Sequence, residues 1–520
     1  MLSQLNISAS TPLGATIFAG GVTFRVWVPR AQAVYLNPVL AADGSVQLND
    51  AQLMSKDPSG YWTAFVPGVG DGFLYHYYVV GDASSGFKRD PYARELKNDV
   101  WPNCSSIVRD AGAYPWHDTG FVIPDFSALV IYQFHIGVFA ISTPGVSSNF
   151  LDVVGKIQYL ADLGVNMLQP LPIDEQGANG GVGMGYAGAD IFSPDFPYVC
   201  TDPAALPGYL ATVNGLLANK GQSPLTLVQI TPGVAQLKVL VDLAHLDGMA
   251  VAFDVVYGHG GGFEGDDNAY YYMDRFAPVG HDNNQSLYCT NVSITPGLAF
   301  ALWQEPVAQF LRDNTAFFLN ECHVDGFRCD QVSDILSAGQ GGAWIFCRSM
   351  TNQVRGIKPR ALQNAEYWPS SGNQVPIVSS SSSGGCGFDV VQHNALRDAL
   401  RGLIGVAAGG ASAAVSISGF APSLYWHGDQ CRSAYDGGDG IGSFQRGRRR
   451  LRSQQRSVAN RRTPGRRSLW SRPLNRIQPY ARPQSLADAT FSHSAPRRRN
   501  AAIEAGGGSN QRTARNARLR

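Results

Sequence analysis

Long apolar runs are missing from this 520-residue sequence. None approaches ~18 uninterrupted apolar residues, so no membrane-spanning helix is expected. Met1 to Gly20 has neither a basic start nor an apolar block, so no secretory leader is expected either. Cysteine is sparse: eight residues, scattered, with no C-x-x-C pair. That usage suits reduced, mostly buried thiols and a cytoplasmic location. Charged residues make up only 16% of the chain against 44% hydrophobic, which excludes a wholly disordered polymer. At ~150 residues per domain, two to four domains are expected.

Lysine is absent from the last 80 residues. Ile441 to Arg520 holds 20 Arg and two acids, Asp488 and Glu504, for a net +18, while the preceding residues carry −17. An acidic body therefore precedes a basic tail, 441–520, in which low apolar content and absent periodicity predict disorder. Translation out of frame and a true Arg-rich arm are both open as its origin. Trp470, Tyr480 and Phe491, with Phe444, are the aromatics among the arginines, and no groove-reading motif accompanies them, so nucleic acid is not expected as a partner.

The first part of the chain alternates with period two between turn signals. Thr23 to Val28 puts Phe24, Val26 and Val28 on one face, and Tyr61 to Val66 and Phe73 to Val80 repeat the pattern. An antiparallel β-sandwich over 10–112 is the expectation. Lys88 to Asn103, with Pro91 and Pro102, reads as the way out of it. From Pro124 the pattern becomes strand, helix, strand, with strands predicted at 128–135, 164–170, 249–256, 324–330, 361–366 and 387–390. Helices are predicted at 150–163, 234–246, 302–319 and 394–404. Near-continuous apolar strands between helices imply a parallel sheet covered on both faces. The fold class is thus α/β: an incomplete (β/α)8 TIM-type barrel of six strands over 124–425, preceded by a sandwich.

Polar segments close several of these strands, where barrel enzymes keep their reactive groups. They are Gly185-Tyr186 with Asp190, Asp254-Val-Val-Tyr-Gly-His259, Gly326-Phe-Arg-Cys-Asp330 and Ala365-Glu-Tyr-Trp368. A lone Asp at a strand end caps a helix more often than it catalyses. Their joint occurrence, in order, on successive strands favours chemistry. Two carboxylates on neighbouring strands are what glycoside hydrolysis needs, and a separation near ~5 Å means retention through a covalent glycosyl-enzyme. Arg328 is expected to keep the attacking carboxylate ionised, and a less polar setting to keep Glu366 protonated. Tyr186, Trp368 and His259 would offer a stacking face and hydroxyl contacts to a sugar.

Residues 254–259, 326–330 and Glu366 resemble three short regions of the α-amylase superfamily, glycoside hydrolase family 13. Phe24 to Pro29, Gly72 to Tyr77 and Asp90 to Ala93 resemble the N-terminal sandwich of its isoamylase and branching-enzyme group. Val130 to Phe139 is similar to the first barrel strand of branching enzymes and maltooligosyl-trehalose trehalohydrolases. The resemblance implies Asp330 as nucleophile and Glu366 as general acid/base. Arg328 and Asp254 would support Asp330, with His259 and Tyr186 lining the adjoining sugar subsite. Gly258 stands where family members usually have Asn, so no calcium is expected, and no cofactor. The implied partner is an α-glucan (glycogen, starch or maltooligosaccharide). Branching of 1,4-α-glucan is the leading activity, with amylase- or trehalohydrolase-type hydrolysis and glucan binding without turnover as alternatives. A last His-Asp region after a seventh strand has no clear counterpart; His427-Gly428-Asp429 is nearest in the chain, and Asp436 and Asp439 fit no better.

Overall fold

Period-two alternation becomes strands in the N-terminal part of the computed structural model. Gly21–Trp27 pairs antiparallel with Gly14–Phe18 on one side and Tyr61–Pro67 on the other, and Ser55–Lys56 extends this sheet. A second sheet orders Ser85–Lys88, Tyr77–Val80 and Ala33–Leu36. Phe24, Val26 and Val28 share one buried core with Val34, Leu36, Tyr75, Tyr77 and Val79. The fold described here covers residues 1–81, 85–176, 183–261, 273, 287–294, 297–338, 341–368, 375–392, 394–410 and 413–414. His427, Asp429, Asp436, Asp439 and the basic tail lie outside the described residues.

At Lys88 to Asn103, the expected way out, the chain first turns back on the sandwich. Lys88 ends a strand, and the chain returns to pair Ser106–Ile107 with Leu74–Tyr75. The reason is Asp90, whose buried carboxylate accepts from the hydroxyls of Tyr75 at 2.8 Å and Tyr77 at 3.1 Å and from the Tyr92 amide at 2.9 Å. These bonds hold the proline-containing segment against the sandwich.

Beyond it six parallel strands follow one another: β1 (Ile131–Phe134), β2 (Met167–Pro170), β3 (Ala250–Val255), β4 (Gly326–Cys329), β5 (Leu362–Ala365) and β6 (Val390–Val391). Their order in the sheet is their order in the chain, each paired with the next. That is the winding of a (β/α) barrel; in a doubly wound sheet the order reverses partway. The fold is a sandwich followed by an incomplete barrel. β3 and β4 are buried at every residue, as strands covered on both faces must be. The helix expected over 150–163 forms as two, α1 (Phe150–Val154) and α2 (Ile157–Asp162), interrupted at Gly155, a poor helix former.

Helix α3 (Gly233–Leu246) precedes β3 and is buried on all sides from Gly233 to His245. Its polar residues are therefore all bonded. Gln236 pairs with the Cys200 backbone, Lys238 donates to Ala111 O, and Asp242 accepts from the Tyr114 hydroxyl and the His117 amide and lies 2.7 Å from the His117 ring. Residues 111–117 thus strap the outer face of α3. Elsewhere Arg89 of the sandwich bonds Asp190 of the barrel at 2.9 Å, with the two side chains 2% and 1% exposed. Asp190 is therefore a structural partner of Arg89, outside the cluster of strand-end residues. Burial pushes its carboxyl up to about 6 against the pull of Arg89.

Removing Arg89 strands a buried carboxylate. Arg89→Met is expected to lower stability by about 3–5 kcal/mol at pH 8. The loss shrinks below pH 6, where Asp190 takes up a proton, and urea unfolding at both pH values checks it.

Candidate active site

Parallel pairing puts directly opposed residues on the same face of the sheet. Asp254 of β3 lies opposite Arg328 of β4, and Arg328 opposite Asn364 of β5. Asp330 and Glu366, two residues further along, fall on that same face. The ladder continues past the strand ends: Asp330 N donates to Val255 O at 2.9 Å and Glu366 N to Cys329 O at 3.0 Å. Gly326 permits the close approach, since a Cβ there would sit 2.5 Å from Leu362 O.

One guanidinium gathers the carboxylates. Arg328 Nη1 donates to Asp254 Oδ1 at 2.6 Å and Asp330 Oδ1 at 2.7 Å, and Nη2 donates to Glu366 Oε2 at 2.5 Å. Asp330 and Glu366 are thus held by the two ends of one guanidinium, on the same face of neighbouring strands, the paired arrangement that glycoside hydrolysis needs.

Tyr186 donates its hydroxyl to Asp254 Oδ2 at 2.9 Å, and its ring lies 5.7 Å from the Arg328 guanidinium. Trp368 donates its indole N–H to Glu366 Oε1 at 3.3 Å. Six of the seven expected residues therefore converge: Tyr186, Asp254, Arg328, Asp330, Glu366 and Trp368. His259 does not join them by any hydrogen bond. It sits beyond the end of β3 in a short strand antiparallel to Gly297–Phe300, buried, its Nδ1 unpartnered. Burial pushes its imidazole down to about 4.

The electrostatics differ from expectation. Burial raises Asp330 to about 7 despite Arg328, with Asp254 and Glu366 adding to the rise. Arg328 pulls the Asp330 carboxyl down without overcoming its burial. Asp254 is likewise raised to about 6 by burial. Glu366 is not in the less polar setting expected: it faces three donors, Arg328, Trp368 and the Gln331 amide, the last at 3.0 Å.

Several contributors were not visible beforehand. Gln331 acts through its backbone and adopts a left-handed φ of 43°, a strained position for a non-glycine residue. Ser333 accepts from the Trp368 amide at 2.5 Å. Asp174 and Asp195, both buried, stand beyond the end of β2; Asp174 interacts electrostatically with Asp254, and burial raises Asp195 to about 7. Asp174 carried the same signal as the others, a carboxylate just after an apolar strand. Among the described residues no three His, Cys, Asp or Glu side chains come together to hold a metal ion.

Residues 12–93 match the family of carbohydrate-binding module 48 (isoamylase N-terminal domain). The chain is 26% identical over 372 residues to the 1,4-α-glucan branching enzyme of Desulfitobacterium hafniense, covering 66% of this chain and 51% of that enzyme. It is 29% identical over 315 residues to the malto-oligosyltrehalose trehalohydrolase of Rhizobium sp., covering 60% of this chain and 43% of that protein. The chain thus spans about half the length of the curated relatives it matches. In fold it is similar to a putative α-amylase from Salmonella typhimurium, with TM-score 0.54 at 23% identity, covering 75% of this chain and 55% of that one. A pullulanase from Bacillus acidopullulyticus gives TM-score 0.54 at 22% identity, covering 78% of this chain and 47% of that one.

Carboxyls raised to about 6 and about 7 hold protons in the native state that an unfolded carboxyl near ~4 has released. Stability is therefore expected to fall as pH rises from 4 to 7. Arg328→Met steepens the fall because the carboxylates lose their shared cation. Urea midpoints across that range measure both.

Proposed function

We propose, for a chain that belongs to the α-amylase superfamily (glycoside hydrolase family 13), retaining cleavage and transfer at α-1,4-linked glucan, with 1,4-α-glucan branching as its specificity. The observation that carries the reading is that Asp330 and Glu366, from neighbouring strands, both bond the guanidinium of Arg328.

In this mechanism Asp330 attacks the anomeric carbon while Glu366 protonates the departing glycosidic oxygen, leaving a glycosyl ester on Asp330. Glu366 then takes a proton from the incoming hydroxyl, which displaces Asp330 and restores both groups. A sugar hydroxyl as acceptor gives a branch; water gives hydrolysis. Arg328 holds the two carboxyl groups in register and spreads positive charge over the one that must be negative. Asp254 and Tyr186 fix the guanidinium from behind. Trp368, bonded to Glu366, orients the acid and turns an aromatic face toward the sugar. His259 would line the neighbouring subsite, and the sandwich would hold a further stretch of glucan. A cytoplasmic location belongs to the same reading, consistent with glycogen, starch or maltooligosaccharide as substrate.

Glucan binding without turnover is the second reading. It is favoured by one observation: among the described residues no later carboxylate joins the cluster. Asp389, at the start of β6, is turned to Arg355 at 2.9 Å instead.

Amylose separates these readings. Branching lowers iodine staining without releasing reducing ends, hydrolysis does both, and binding alone does neither. Asp330→Asn is expected to reduce turnover by about 10³-fold or more while amylose retention persists. The kcat/KM profile is expected to fall on its acid side with an apparent pKa near 7, where the attacking Asp330 takes up a proton. A profile flat from pH 8 down to pH 5 rejects that assignment.

A further inference from the structure

A second charged cluster lies at the opposite end of the strands, where the proposed chemistry has no use for it. His245, in the last turn of α3, is 4% exposed. Its Nδ1 lies 2.8 Å from Asp118 Oδ2 and its Nε2 2.7 Å from Asp325 Oδ2. A neutral imidazole offers one N–H and one lone pair. Facing carboxylates on both sides, it would turn the lone pair onto an anion. Both contacts are attractive only when both nitrogens carry protons.

We propose that His245 is a buried imidazolium that latches residues 111–123, the linker into the barrel, to the starts of β3 and β4, and that losing its proton at alkaline pH opens the latch.

Each neighbouring element supplies a charged or titratable group. From the linker, Asp118 Oδ2 also meets His323 Nδ1 at 2.8 Å. Asp325, just before β4, accepts the Val251 amide of β3 at 2.8 Å and Lys358 Nζ at 2.6 Å. Lys358 lies past the helix Ala343–Ile357 and also donates to the carbonyls of His323 and Val324. One turn back on α3, Asp242 pairs with His117. The cluster thus alternates basic and acidic side chains: His323, Asp118, His245, Asp325, Lys358. Phe121 of the linker stacks on the His245 ring at 4.0 Å, and Trp116 stacks on His323 at 3.8 Å. His323 is held at φ 54°, a left-handed backbone, to face Asp118.

Burial alone would push His245 down, but its bonds to Asp118 and Asp325 outweigh burial and hold it above the ordinary histidine value. The same bonds hold Asp118 and Asp325 below the usual carboxylate range against burial. A base whose native pKa is raised contributes stability in full below its unfolded value. That contribution is lost as pH rises through the native value. An open cleft of about 350 Å³ lined by Asp118, Phe121, His245, His323 and Lys358 gives solvent a route to the proton.

The test uses the full chain labelled with ¹⁵N-histidine. At pH 7.5 both ring nitrogens of His245 are expected to be protonated, with titration above the ordinary value near ~6.5. A single neutral tautomer at pH 7.5 overturns the proposal, and this measurement needs no variant to fold. Tm is expected to drop by a few degrees as pH rises through the measured value, and His245→Gln to lose that drop; a variant that keeps it overturns the proposal. Asp118→Asn, which leaves the imidazole one carboxylate, is expected to speed amide exchange over 114–123 at pH 7. Unchanged protection there sinks the latch.

Discussion

The site depends on one alignment, Asp254 opposite Arg328 across two buried parallel strands. It sets a carboxylate and a guanidinium side by side with little water between them. Charges so placed are costly unless each finds a partner. Arg328 answers by bonding three carboxyl groups at once, and the remaining excess of negative charge is relieved by proton retention. The raised proton affinity of Asp330 is thus a consequence of register and burial together. A one-residue slip of β4 would turn Arg328 and Asp330 to the other face and leave Asp254 unpaired.

The same economy of charge holds the sandwich and linker to the barrel. Arg89 with Asp190, Arg94 with Glu321 at 2.5 Å, and Tyr92 with Asp313 at 3.1 Å are polar contacts set among aromatic packing of Tyr92 on Phe192 and Phe310. Apolar surface supplies the adhesion, and the buried pairs select one orientation because each is costly to break. Helix α3 is central to this arrangement. Buried from Gly233 to His245, it touches strands on one side and the linker on the other.

Much of the organisation was legible in the chain. Alternation in Phe24, Val26 and Val28 marked a sandwich face, and unbroken apolar runs marked the parallel strands. Carboxylates at strand ends marked the site. The resemblance of 254–259, 326–330 and Glu366 to known regions pointed to roles that spacing alone did not supply. What stayed hidden involves partners distant in sequence. Asp190 looked like a site residue until Arg89, 101 positions earlier, proved to hold it. The amide of Gln331 serves Glu366 through a backbone twist that residue type does not announce. Asp90 kept a segment with prolines on the sandwich because two tyrosines, buried elsewhere, needed an acceptor.

By itself, the sequence determined which residues lie on which face of each strand, since a period of two follows from local backbone geometry. It also determined the order of sandwich, barrel and basic tail, because composition changes sharply between them. Only the tertiary structure decided how charge is distributed. Proton affinities depend on burial and on groups brought within a few ångströms from separate strands. Asp330 and Glu366 on one guanidinium, and His245 between two carboxylates, exist only once the strands have paired.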